Sequence, residues 1–321
     1  MINIIQDNFF KNIFIINLKN LTLKYMEFIN ILFIIFLIII IYYYFQLYKY
    51  PIKKELKPIH NLKGQYNIFM YWETLSGKTK PTYLDLCYDT VLKNCSQDFK
   101  IHMLDEKSIT QYLPELRPDL DKKLKIQQKV DYYRLLLLYK YGGIWLDADT
   151  IIIKSLIPLF EKLKSYNYVG FGCHHGFCSR TGKPNPANWV MMSKKNEILL
   201  KKCIIQADIY LDQYKSLKNN YFILGRNLIS SKIKYLLNNN KNWDYYHHSS
   251  ICTERDSNDR KLVNSRMISN EKIDNRCIDK IFFIPIYNTA PGFPQWFLKL
   301  NKEKLFKSNM LISKFFREAL K

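Results

Sequence analysis

The sequence predicts an α/β domain in which helices cover a parallel sheet, preceded by one N-terminal transmembrane helix. Three observations carry this reading. Tyr66–Trp72, a helical pattern opening at Pro81, and Phe99–Leu104 follow one another as strand, helix and strand. Such a βαβ unit favours a right-handed crossover and a parallel sheet. A stretch free of glycine and proline from Asp121 to Tyr141 stops at Gly142-Gly143 and hands over to the apolar segment Ile144–Ile153. The run Ile31–Phe45, ILFIIFLIIIIYYYF, is apolar or aromatic throughout.

Phe28–Leu47 supplies the roughly 20 residues a helix needs to cross a bilayer. Tyr42, Tyr43 and Tyr44 at its end suit the headgroup interface. No small-residue cleavage site follows, which favours a retained anchor over a removed signal peptide. The expected organisation is an N-terminal extension at 1–27, an anchor at 28–48, a proline-bearing stalk at 49–65 and one domain at 66–321. Lysines flank the span on both sides, so the loop-charge rule leaves orientation open. A single-pass protein of an endomembrane or equivalent membrane is expected.

Within the domain, Tyr66–Trp72 reads as a buried strand. Pro81 occupies a helical first turn, and Leu84, Cys87, Tyr88 and Val91 recur at i, i+3, i+4, i+7. Phe99–Leu104 alternates as a strand does. Asp131 and Arg134, three apart, share one face of the long helix. Read as one strand, Ile144–Ile153 sends Trp145, Asp147 and Asp149 to one side and Leu146 and Ala148 to the other. A further helix is expected at 194–215, whereas the strands of the C-terminal third cannot be ordered.

The 321 residues hold 49 Lys+Arg against 28 Asp+Glu, a formal charge of +21. The chain is rich in Ile, Lys, Asn and Tyr in loops and apolar segments alike, so this charge permits anionic partners without pointing to nucleic acid. Seven cysteines form neither a dense framework nor C-x-x-C pairs, so no disulfide scaffold or zinc ribbon is indicated. Cys173-His174-His175-Gly176-Phe177-Cys178 matches no common zinc spacing. His247-His248, near Trp243 and Asp244, reads as an exposed polar loop or a closing element. Pro291-Gly292-Phe293-Pro294-Gln295-Trp296 is a rigid aromatic turn that either covers a ligand or caps the domain.

The chemistry concentrates at Asp147 and Asp149. Two neighbouring carboxylates at the end of a buried strand repel each other, and burial raises the cost unless a cation joins them. An all-oxygen site favours Mg²⁺ or Mn²⁺, ions that keep waters and take remaining ligands from substrate phosphates. A lone D-x-D is weak evidence, since short motifs match often by chance. Its context strengthens it: a helix carrying Asp131 and Arg134, a Gly-Gly stop, then the apolar strand.

That context, K-V-D-Y-Y-R-L-L-L-L-Y-K-Y-G-G-I-W-L-D-A-D-T, resembles the core of the family 32 glycosyltransferases and the related capsular polysaccharide synthesis proteins. Residues 129–150 match closely, and Ile68–Trp72 resembles the family's opening strand. The resemblance implies a GT-A-like, Rossmann-type nucleotide-binding domain with a mixed, mainly parallel sheet. It also implies a UDP- or GDP-sugar donor, Mn²⁺ or Mg²⁺, and transfer to a glycan, protein or lipid acceptor with retention of configuration. By the same resemblance Asp131 holds sugar hydroxyls and Arg134 lies by the sugar and phosphates. Trp145 borders the nucleotide and Trp72 lies near the base. Asp147 and Asp149 address the ribose and the metal, with Asp149 the more direct ligand. Val130 departs from the pattern, standing where the family usually has serine.

Blander readings stand beside these. Asp131 and Arg134 alone read as an exposed i,i+3 ion pair worth a few tenths of a kcal/mol, and Trp72 and Trp145 as core aromatics. An aspartate-nucleophile phosphatase, with Asp147 phosphorylated and Asp149 as acid/base, is the second enzyme class. It fits poorly, because Ile151 stands where that motif needs threonine or valine. A non-catalytic protein on anionic membrane surfaces leaves the clustered acidic residues unexplained.

Overall fold

The computed structural model describes residues 26, 29–42, 66–74, 77, 79–171, 186–237, 256–258, 260–286 and 292–321. The chain divides into two compact units, Met1–Glu55 and Leu56–Lys321. In the first, residues 29–42 form a helix exposed all round, with Phe33 and Ile41 at 60% and 61%. Among the described residues no helix is long and apolar enough to cross a membrane. At about 1.5 Å per residue this helix covers about 21 Å, short of the roughly 30 Å hydrocarbon core. The span expected at 28–48 is therefore not seen at its expected length; residues 43–48 and the stalk lie outside the described residues.

The second unit is built on a five-stranded sheet in the order β2-β1-β3-β6-β5. Its strands are β1 (Tyr66–Tyr71), β2 (Phe99–Leu104), β3 (Gly143–Leu146), β5 (Tyr168–Phe171) and β6 (Ala187–Ser193). β1 pairs in parallel with β2 and β3, and β6 pairs antiparallel with β3 and β5. The sheet is mixed, as expected. A separate antiparallel pair joins β4 (Thr150–Ile152) to β7 (Phe283–Pro285).

Period-2 alternation sorts the strand residues into two cores. Ile68, Met70, Ile144 and Leu146 join one, with helix α1 (Tyr83–Cys95) and the C-terminal helix Leu311–Ala319. Phe69, Tyr71 and Trp145 join the other, with helices α2 (Ile126–Tyr141) and α3 (Ile198–Gln213). Buried polar bonds tie α1 to β4. Thr90 Oγ1 donates to Cys87 O at 2.6 Å and accepts from Ile152 N at 2.9 Å. Asn94 Nδ2 donates to Ile152 O and Ala319 O.

The helix expected over Asp121–Tyr141 is broken. A single turn, Leu120–Lys123, precedes α2, and the backbone between them is extended at Leu124 and Lys125. Gln128 stabilises the restart: its Oε1 accepts from Lys125 N, and its Nε2 donates to Leu217 O and Asn220 O. The Gly-Gly stop behaves as the sequence requires. Gly142 and Gly143 have φ of +67° and +106°, and a Cβ on Gly143 would lie 2.3 Å from Asn67 O. No larger side chain lets β3 enter so close beside β1.

The expected single strand Ile144–Ile153 is also divided. β3 ends at Leu146, Asp147 N donates to Trp189 O, and Thr150 N closes a turn onto Asp147 O at 3.1 Å. The chain then enters β4 in the other sheet. Period-2 alternation lapses across this turn, so Asp147 and Asp149 do not share one strand face.

Candidate active site

The strand order fixes where a ligand can sit. From β1 the chain crosses to β2 on one side, then returns through α2 to β3 on the other side of β1. Ligands in open α/β sheets bind in the crevice beyond the carboxyl ends of strands flanking such a reversal. Here those ends are Tyr71 and Leu146, and the next residues are Trp72 and Asp147.

On the α2 side, Asp131, Arg134, Trp145 and Asp147 form one network. Arg134 Nη2 lies 3.3 Å from Asp131 Oδ1 and 3.2 Å from Asp147 Oδ1. Its Nη1 donates to Asn188 O, and its guanidinium lies 5.0 Å from the centre of the Trp145 ring. Trp145 is wholly buried, and its Nε1 donates to Asp147 Oδ1 at 2.8 Å. Asn188 Nδ2 donates to Asp131 Oδ1 at 2.6 Å. Val130 contributes its carbonyl, which accepts from Arg134 Nε at 3.4 Å.

Two carboxylates thus share one guanidinium in a water-poor setting. Burial pushes the Asp131 carboxyl up to about 7, with Arg134 opposing and Asp147 adding to the rise. Burial likewise raises Asp147, against Arg134 and the Trp145 bond. The Asp147 side chain is nevertheless 30% exposed. Both of its described bonds fall on Oδ1, leaving Oδ2 unbonded among the described residues.

Asp149 lies past the turn, where its carbonyl accepts from Ile286 N at 2.8 Å. Its charge raises Tyr83 and Cys87 of α1, in both cases after burial as the larger cause. Three buried polar atoms bordering this end of the sheet lack a partner among the described residues: Trp72 Nε1, Tyr83 Oη and Thr150 Oγ1. Buried polar groups are bonded in most folded proteins, so such orphans suit a site that receives a polar ligand.

A divalent cation fits this chemistry. Asp147 offers an oxygen with no described bond on an anchored carboxylate, Asp149 lies two residues on, and one guanidinium is shared between the carboxylates of Asp131 and Asp147. Among the described residues no group of three or more His, Cys, Asp or Glu side chains is placed to hold a metal alone. An ion completed by substrate phosphates and water needs fewer.

A family model described as capsular polysaccharide synthesis protein matches residues 46–255. The chain belongs to that family. The O-glycosyltransferase PaGT of Phomopsis amygdali is 34% identical over 76 residues, which are 22% of this chain and 18% of that protein. The chain thus spans about a fifth of that relative's length. Among solved structures it is similar to galactosyltransferase LgtC in complex with donor and acceptor sugar analogs, at 15% identity and a TM-score of 0.39, over 79% of this chain and 95% of that one. A glycosyltransferase involved in glycosylation of the major capsid of PBCV-1 gives 11% identity and a TM-score of 0.40, over 70% of this chain and 95% of that one.

The fold brings Asp131, Arg134, Trp145 and Asp147 together and leaves Asp149 past the turn, at the entry to β4. Trp72 packs against the α1-side core. Two participants were not singled out in the sequence. Asn188 stands just before the apolar run Trp189–Met192 of β6, and a polar side chain at that place is the available signal. Gly225 is the one glycine between Gly182 and Gly292; a Cβ there would lie 2.5 Å from Asn188 Nδ2 and 2.6 Å from Asp131 Oδ2. The Cys173–Cys178 cluster and His247-His248 lie outside the described residues.

Proposed function

We propose that the enzyme transfers a sugar from a UDP- or GDP-sugar to a glycan, protein or lipid acceptor, with retention of configuration and dependence on Mn²⁺ or Mg²⁺. The observation that carries this reading is the Asp131–Arg134–Asp147 network at the reversal between β1 and β3. Asp147 and Asp149 would hold the ion, which when bound neutralises charge building on the departing diphosphate.

The remaining work falls to this chain's own groups. Arg134 and Trp145 fix the Asp147 carboxylate through Oδ1, so its second oxygen is presented in one orientation. Asn188 and Arg134 hold Asp131 in the same way, and its role is to accept hydroxyl protons of the donor sugar. Arg134 is spent inside the protein, so it acts on the donor through the carboxylates it orients and through its positive field. Trp72 Nε1 is a donor for the nucleotide's polar edge.

The assay is nucleotide release from UDP- and GDP-sugars with Mn²⁺ and with chelator. Release confined to the metal-loaded protein and lost in Asp147→Asn and Asp149→Asn supports the reading. Trapping by fluoroberyllate without any use of sugar nucleotides would instead favour the phosphatase. We also attribute membrane tethering to the apolar run Phe28–Leu47, whose described part exposes Ile, Leu and Phe on all sides. Recovery of the full chain in the soluble fraction after alkaline carbonate extraction overturns that assignment.

A further inference from the structure

The segment from Phe293 to Phe297 is divided between buried and exposed rings. Phe293 and Phe297 are buried and stack on each other with centroids 4.2 Å apart and planes at 29°. Both pack on Tyr83, at 5.5 and 5.8 Å. Trp296 lies between them in sequence yet is 53% exposed, edge-on to Phe297 at 6.1 Å. Pro294 leads into the single helical turn Gln295–Leu298 with extended backbone, which sets the approach of the indole.

Single exposed aromatics occur on many surfaces and need no explanation of their own. What separates Trp296 is its pedestal. The Phe293–Phe297 stack rests on Tyr83, a buried side chain at the start of α1 whose hydroxyl has no partner among the described residues. Tyr83 also lies in the same core as Leu146 and Ala148, the residues on either side of Asp147. An aromatic column therefore runs from the core beneath that turn to one indole left in water.

We propose that Trp296 is the stacking platform for a pyranose ring of the acceptor, with Phe293, Phe297 and Tyr83 as its positioning residues; this rests on the transferase reading above. A pyranose presents a face of C–H groups with slight positive charge, and an indole face is negative. The indole N–H adds a donor for a ring hydroxyl. A two-χ aromatic on a fixed base loses little conformational entropy when a sugar settles on it.

The test uses the full chain as wild type, Trp296→Ala and Trp296→Phe, with UDP- and GDP-sugars and Mn²⁺. Nucleotide release is followed without acceptor and across concentrations of a panel of methyl pyranosides, whose small aglycone cannot itself stack. At least one methyl pyranoside should accelerate release by the wild type. Trp296→Ala should leave acceptor-free release within about twofold and raise the half-saturating pyranoside concentration about five- to tenfold, with Trp296→Phe recovering most of the loss. An unchanged half-saturating concentration overturns the proposal. So does an equal loss of acceptor-free release, which puts Trp296 on the donor side, or a wild type that no methyl pyranoside accelerates. A wild type releasing no nucleotide from any donor refutes the donor-site reading, and this proposal with it.

Discussion

Gly225→Ala isolates the packing behind the acidic network. A Cβ at this position would lie 2.5 Å from Asn188 Nδ2 and 2.6 Å from Asp131 Oδ2, where ordinary contact begins at 3.4 Å. Each group must retreat by roughly 0.8 Å, and the 2.6 Å bond joining Asn188 to Asp131 bars an easy path. Moving either by that distance takes the bond to the edge of useful geometry. A hydrogen bond to a charged group contributes about 1.5–3 kcal/mol and overpacking costs about 1–3 kcal/mol, so a net loss near 2 kcal/mol is expected. For a domain of this size that lowers Tm by roughly 4–8 °C. Activity should fall further, because a misplacement near 1 Å can reduce rate by about a hundredfold. Differential scanning calorimetry and metal-dependent nucleotide release on the same preparation measure both. Wild-type Tm with wild-type release would refute the reasoning, since the alanine would then fit without disturbing Asp131.

The remaining expectations rest on single groups. Asp131, raised from 3.8 to about 7, keeps its proton in the folded protein over a window where the unfolded chain has lost it. Stability from this group is therefore full below about 4 and is lost as pH rises to about 7, by at most roughly 4 kcal/mol. Urea midpoints with chelator at pH 5 and 8 should show that decline in wild type and a flatter profile in Asp131→Asn; parallel profiles refute it. Thr90→Val strands the Ile152 N–H now bonded to Thr90 Oγ1 and should cost about 1–3 kcal/mol in urea unfolding, while an unchanged midpoint discounts the tie between α1 and β4. Tyr83→Phe removes a buried hydroxyl with no described partner, so the metal-free protein should keep or slightly gain stability. A loss above about 1 kcal/mol shows that the hydroxyl is bonded in the folded protein.

Much of the domain was legible because its signals are local. The βαβ run was visible in strand-like runs and the i, i+3, i+4, i+7 pattern of Leu84, Cys87, Tyr88 and Val91. The end of α2 was visible in Gly142-Gly143, because only glycine accepts those backbone angles with Lys195 N and Asn67 O so near. Asp131 and Arg134 were placed on one face by helical spacing alone. The break at Leu124-Lys125 was not legible, since Gln128 stabilises it through carbonyls at Leu217 and Asn220, far along the chain.

The sequence by itself determined the strand–helix–strand order, the helix stop and the set of acidic and basic residues available for chemistry, because each depends on neighbours a few positions away. Only the tertiary structure decided how that set is arranged. Asp147 N makes the last bond to β6, at Trp189 O, Thr150 N then closes a turn onto Asp147 O, and β7 draws Thr150–Ile152 into a second sheet. The turn leaves Asp147 against Arg134 and carries Asp149 to the second sheet, where its carbonyl accepts from Ile286 N, while Asn188 and Gly225 close over Asp131 from distant segments. Those contacts depend on which surfaces pack together, and local preference carries no record of that.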